Sequence, residues 1–120
     1  MILKAMPELP LKQKAIIGLE NGSLGKSDDV DLPSLEEDMI LVKNMAVACN
    51  PSDTKFVGRL GTPGAIAGMD FAGEVVAIGS NVQTASPIKV GDRVCGAVLG
   101  MDPIRPSMYL YMVAALLRVP

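Results

Sequence analysis

The chain has no histidine and no tryptophan, and only two cysteines, two tyrosines and two phenylalanines. Losing histidine removes several chemistries together: Ser-His-Asp and Cys-His nucleophile pairs, the commonest general base, and most zinc ligand sets. Cys49 and Cys95 are too few and too isolated for a disulfide framework or a Cys-x-x-Cys metal site, so a reducing, cytoplasmic setting is the expectation. No basic block occurs, and the scarcity of aromatics further excludes a nucleic-acid-binding surface. Residues 1–14 carry three lysines and two prolines without an apolar run of signal-peptide length, so secretion is not expected. The longest apolar run, Met108–Leu117, is ten residues, too short to span a bilayer. Gly-x-Gly-x-x-Gly is also missing, so the chain has no dinucleotide fingerprint of its own. Any chemistry must come from Lys, Asp, Glu, Tyr, Cys, hydroxyls, backbone dipoles or a cofactor.

What is present suits one globular domain. The chain has 120 residues, 49% apolar and 20% charged, with net charge -2. Residues 1–12 read as a flexible, proline-punctuated arm. Ala15–Leu19 is a short β-branched run, and Asn21-Gly22 after it signals a hairpin, because both residues tolerate positive φ. A return strand is expected over Ser23–Lys26, then a polar connection through Ser27-Asp28-Asp29 and Asp31-Leu32-Pro33-Ser34. Gly25-Lys26-Ser27 copies the end of a phosphate-binding loop, but Glu20 stands where that motif requires glycine, so it reads as an ordinary turn.

Met39–Cys49 is the best strand of the chain, apolar enough to be covered on both faces over part of its length. Pro51 ends it. Ser52–Phe56 can begin a helical turn capped by Asn50 or Ser52. Gly58–Gly64 reads as loop. Phe71–Ile78 reads as a strand in which Gly73 marks a bulge or a close backbone approach. Gly79-Ser80-Asn81 turns the chain into a polar connection. Lys89–Asp92 is another turn and Arg93–Leu99 another strand. Met101–Pro106 is a proline-bounded loop, and periodicity leaves Met108–Val119 open between helix and strand. Short strands with turns between them and almost no helix predict a mainly β fold, a small barrel or sandwich.

Three segments in register carry a family resemblance: V-K-N-M-A-V-A-C-N-P-S-D-T-K from Val42 to Lys55, G-M-D-F-A-G-E-V-V-A-I-G-S-N-V from Gly68 to Val82, and K-V-G-D-R-V-C-G from Lys89 to Gly96. Together they resemble the N-terminal GroES-like domain of the medium-chain dehydrogenase/reductase superfamily. Within it they resemble the fungal trans-acting enoyl reductases that partner polyketide synthases, whose loop Asp102–Pro106 also fits. The resemblance implies a GroES-like barrel with short helical turns over residues 13–120, truncated before the Rossmann domain that relatives use to bind most of NADPH.

The resemblance also implies site residues. Where zinc-dependent relatives carry Gly-His-Glu, this chain has Gly68-Met69-Asp70, and Asn50 stands in place of their cysteine ligand. Cys49 lies one position early, on the opposite face if the strand continues, and reads as a buried small hydrophobe. The zinc-independent, NADPH-using branch follows. There, hydride goes to the β-carbon of an α,β-unsaturated thioester, and the resulting enolate is protonated at the α-carbon. By resemblance, Ser52, Asp53, Thr54 and Lys55 lie beside NADPH and Asn50 orients cofactor or substrate. Lys55 is the catalytic candidate, pairing with cofactor phosphate or ribose or polarising the acyl carbonyl. Blander readings stand beside these: Lys55 as a solvated lysine, Asp53 as a turn cap, Asn50 as a strand-end cap, Asp70 serving backbone donors, and Tyr109 and Tyr111 as core.

The implied function is the N-terminal part of an NADPH-dependent enoyl reductase working with a polyketide synthase or its acyl-carrier domain, and inactive as this chain alone. The alternatives are a non-catalytic GroES-like module that binds a protein partner, or part of a quinone-reductase relative. Relatives follow the proline loop with a Gly-Ala-Phe-x-x-Tyr-like strand, whereas this chain has Ser107–Met112. Apolar surface that the absent Rossmann domain would cover is expected to be left exposed and to favour self-association.

Overall fold

The computed structural model describes residues 8–53, 63–98 and the strand at 114–118. Among these residues the strands and the helix α1 follow in order: β1 Lys12–Gly18, β2 Leu24–Asp31, β3 Met39–Val47, β4 Asp70–Ile78, α1 Ser80–Ala85, β5 Arg93–Ala97 and β6 Ala114–Arg118. β1 and β2 form a two-stranded sheet, and the other strands a four-stranded sheet ordered β5-β4-β3-β6. Every pairing in both sheets is antiparallel. The mainly β expectation therefore holds.

The first hairpin forms where Asn21-Gly22 places it. Leu19 and Ser23 close a three-residue loop: Leu19 N–H donates to Ser23 O at 2.8 Å and Gly22 N–H to Leu19 O at 3.0 Å. Gly22 carries the positive φ, 80°, that this loop requires. Asn21 Oδ1 accepts from both the N–H and the hydroxyl of Ser23. The return strand runs further than composition suggests, through the acidic stretch to Asp31. Two features reconcile that stretch with a strand. An extra residue in β2 at Asp28-Asp29 bulges it opposite Lys14, between the pairs Gln13↔Val30 and Ala15↔Ser27. Lys12 Nζ then reaches Asp29 at 3.2 Å and Asp31 at 2.8 Å across the pair. Leu11 and Lys12, assigned to the loose arm by the sequence, are thus tied to the sheet, with Leu32 N–H donating to Leu11 O. Gly25-Lys26-Ser27 lies within β2 rather than in a turn.

β3 explains the position of the core. Met39, Ile40, Leu41 and Val42 are consecutive and all buried, because each face of the strand has its own cover. Met39 and Leu41 pack with Ala15, Ile66, Val76 and Ala77 beneath the β1–β2 sheet. Ile40 and Val42 pack on the other face with Phe71, Val75, Val82 and Val98. Val76 and Ala77, adjacent in β4, join one cluster because the register slips there, between Leu41↔Ala77 and Val42↔Val75. The two sheets are stitched by residues 64–67, which run along the free edge of β1: Gly64 N–H donates to Gly18 O, Gly18 N–H to Ala65 O and Ala67 N–H to Ile16 O, each at 2.9 Å.

Past Asn44 the cover on β3 runs out, and Met45 and Val47 are exposed. Gly73 sits opposite Asn44 and does make a close backbone approach. A Cβ there would overlap Lys43 O, with Val42 Cγ1 at 2.8 Å. The segment after Gly79, expected as irregular connection, contains α1. Val82 of that helix is buried against the core, and two apolar residues in six, Val82 and Ala85, gave no readable period. Asn81 N–H, donating to Glu37 O at 2.9 Å, holds the helix start in place. The Lys89–Asp92 turn forms as expected, with Gly91 at φ 96° and Lys89 N–H donating to Asp92 Oδ2. The undecided tail resolves as strand at β6, because β3 offers it a free edge from Met39 to Lys43. The Gly58–Gly64 loop is described only from Pro63, and the Asp102–Pro106 loop, Tyr109 and Tyr111 lie outside the described residues.

Candidate functional site

Two segments resembling the family meet at one corner of the four-stranded sheet. β3 ends at Val47, residues 48–50 leave it without regular structure, and residues 51–53 are helical. β4 begins at Asp70, two residues after Gly68, whose φ of 110° lets the chain turn into the strand. Between the two segments, Asn50 Nδ2 donates to Asp70 Oδ2 at 2.7 Å. This is a charge-assisted hydrogen bond between residues 20 apart in sequence. Both partners are half-buried. Asp70 therefore does not serve backbone donors through this oxygen, as expected from sequence, but holds a side chain. Val98 N–H donating to Met69 O at 2.8 Å ties the same corner to the end of β5.

The loop has its own internal bonds. Asn50 N–H donates to Asp53 Oδ2 at 2.7 Å, and Asp53 N–H returns to Asn50 O at 3.0 Å. Asp53 thus caps this turn, as the simpler sequence reading has it. Its other oxygen, Oδ1, is buried and has no hydrogen-bond partner among the described residues. Leaving such an acceptor unpaired costs about 1–3 kcal/mol. Pro51 fixes φ at the first helical position, where no intrahelical N–H is needed. Ser52 is half-buried beside Asp53.

The structure therefore brings Asn50, Ser52, Asp53 and Asp70 to one corner. Thr54 and Lys55 lie outside the described residues. Cys49 corrects an expectation. It is exposed rather than buried: it lies two residues past the end of β3, whose last residues, Met45, Ala46 and Val47, are already exposed. Among the described residues no group of three or more His, Cys, Asp or Glu side chains is placed to hold a metal ion.

Sequence reading missed the Asn50–Asp70 bond, for which it offers no local signal. It also missed an open groove of about 620 Å³ on the sheet face, lined by Met45, Ala46, Ala72, Glu74 and Cys95 among others. Its floor consists of small residues on paired strands, Ala46↔Ala72↔Cys95, a match visible only in the register. Among the described residues no helix is long and apolar enough to cross a membrane.

Comparison with known proteins agrees with this geometry. The alcohol dehydrogenase GroES-like domain family matches residues 36–106. A trans-enoyl reductase of Gibberella zeae is 57% identical over 103 residues, covering 86% of this chain and 29% of that protein. A trans-enoyl reductase of Macrophomina phaseolina is 50% identical, covering 85% of this chain and 28% of that protein. The chain thus spans under a third of the curated relatives it matches. Among solved structures, an alcohol dehydrogenase superfamily protein from Novosphingobium aromaticivorans superposes with TM-score 0.62 at 31% identity, covering 75% of this chain and 28% of that one. A quinone oxidoreductase from Coxiella burnetii, at TM-score 0.59 and 22% identity over 88% of this chain and 33% of its own, shares the fold. The chain belongs to the alcohol dehydrogenase GroES-like domain family, within the medium-chain dehydrogenase/reductase superfamily.

Proposed function

We propose that this chain forms one wall of the active-site cleft of a zinc-independent, NADPH-dependent trans-acting enoyl reductase. Its substrate in that reading is a polyketide-type acyl thioester, delivered by a polyketide synthase or its acyl-carrier domain. The observation that carries the reading is the corner in which Asn50 is bonded to Asp70 and Asp53 closes the turn between Asn50 and itself. Identity to the trans-enoyl reductase of Gibberella zeae supports the substrate class.

The residues present fit a nicotinamide nucleotide in one testable respect. Asp53 Oδ1 is a buried acceptor with no partner among the described residues. A ribose hydroxyl or carboxamide N–H would satisfy it. Ser52 adds a hydroxyl able to donate or accept beside it. Bound NADPH would supply the hydride for the β-carbon. The chain's own part is to position: Ser52, Asp53, Thr54 and Lys55 along the cofactor, Asn50 toward substrate or cofactor, and Lys55 as the cation facing phosphate or acyl oxygen. A wall of a few residues supplies only a fraction of dinucleotide affinity, so turnover requires the remainder of a cofactor site.

NADPH titration of the chain, followed by cofactor fluorescence, tests the reading. Micromolar binding that is lost in Lys55→Ala supports it. Absence of binding at millimolar NADPH overturns cofactor recognition by this chain and leaves a GroES-like module that binds a protein partner.

A further inference from the structure

Asn50 has two side-chain ends of opposite character, an Nδ2 donor and an Oδ1 acceptor, and a half-turn of the amide exchanges them. Which end meets a ligand therefore depends on what holds the other. An ionised carboxylate only accepts, so Asp70 Oδ2 at 2.7 Å attracts Nδ2 and repels Oδ1. We infer that Asp70 is a positioning residue for Asn50, holding the amide in one of its two orientations so that Oδ1 is the end left for a ligand. The functional part of this inference rests on the reading of the corner as a cofactor and substrate wall.

Three features separate this role from general support of the loop. The Asn50 backbone is held independently, its N–H by Asp53 Oδ2 at 2.7 Å and its carbonyl by Asp53 N–H at 3.0 Å. Loss of Asp70 would therefore free the side chain while the turn stays closed. Asp70 is itself fixed at the first position of β4, paired with Ala97 of β5. Among the described residues the Asn50 amide has no other hydrogen-bond partner.

The consequence is a selection rule. With Oδ1 presented and two carboxylates adjacent, the corner accepts hydrogen bonds from a hydroxyl or an amide N–H of the ligand. It repels an anionic oxygen. The developing negative charge on the acyl oxygen is held elsewhere, and Asn50 reads a donor group on the cofactor or the acyl chain.

Side-chain amide NMR of the ¹⁵N-labelled chain, with Asn50 assigned through Asn50→Ser, tests this. In the wild type one Nδ2 proton is protected from exchange. In Asp70→Asn the neighbour carries a donor as well as an acceptor, so it no longer selects one end of Asn50 and the protection falls. In Asp70→Ala the pair exchanges freely while the Asn50 backbone N–H stays protected. NADPH affinity then falls by about tenfold in both Asp70→Ala and Asp70→Asn, as expected for losing the charge-assisted bond that fixes the orientation. Asn50 amide protons that exchange freely in the wild type, or stay protected in Asp70→Ala, would overturn the inference. If Asp70→Ala does not fold, loss of Nδ2 protection in Asp70→Asn decides alone. A wild-type chain that binds no NADPH refutes the proposed function, whereas the Asn50 resonances still judge the positioning role.

Discussion

Replacing Gly73 with alanine probes the closest backbone approach in the sheet. Gly73 is buried in β4 and has no positive φ, so the substitution imposes no backbone strain of its own. It should even gain about 0.4–1 kcal/mol through the smaller entropy of the unfolded chain. Against that, the new Cβ would overlap Lys43 O and lie 2.8 Å from Val42 Cγ1 and 2.9 Å from the Lys43 carbonyl carbon. Two of these three contacts are backbone of the neighbouring strand and cannot rotate away. Overpacking costs about 1–3 kcal/mol, and immovable neighbours place this case at the upper end, leaving a net loss of about 2 kcal/mol. For a domain of this size that lowers Tm by roughly 8 °C. Gly96→Ala is the control: its Cβ would meet only the Phe71 ring edge, at 3.3 and 3.4 Å, which can shift. It should cost under about 1 kcal/mol. Urea unfolding followed by circular dichroism measures both. A Gly73→Ala midpoint equal to wild type, or a larger loss in Gly96→Ala, would refute the reasoning.

Other positions separate strain, packing and charge. Gly91→Ala meets nothing within 4 Å but must hold φ near 96°, so it should cost about 1 kcal/mol through strain alone, with Gly91→Asn milder in the same urea melts. Val82→Ala removes a core contact of α1 and should cost about 2 kcal/mol, with faster amide exchange confined first to Ser80–Ala85. The pKa of Lys12 is raised above 10.5 by its hydrogen bonds to Asp31 and then Asp29. That contribution is complete below the unfolded value and is lost as pH rises through the folded one. Lys12→Met should therefore be slightly less stable than wild type at neutral pH, and the gap should close above pH 10.5, with added salt narrowing it throughout.

Much of this was legible along the chain, wherever the cause was local. Asn21-Gly22 and Lys89–Asp92 specify their own turns, because positive φ at Gly22 and Gly91 is a property of the residue. The continuous apolar run at Met39–Val42 announces a strand covered on both faces, since alternation fails only when both sides are dry. Asp53 capping its own turn also follows from neighbouring residues alone. Errors arose where a distant partner decided. Ser27–Asp31 became strand because Lys12 and β1 lie across from it. Cys49 became exposed because β3 loses its cover and ends early.

The sequence by itself determined the turns, the central strand and, through three segments in register, the family. Those depend on φ preferences, hydrophobic pattern and ancestry, all of which are written residue by residue. Tertiary structure alone decided that Asn50 meets Asp70, that Gly73 backs onto Lys43, and that residues 114–118 pair with β3. Each is a contact between residues 20 or more positions apart, and sequence patterns report a residue's exposure far better than the identity of its partner. For the candidate site this matters most: the chain names Asn50 and Asp70 separately, and the fold makes them one unit.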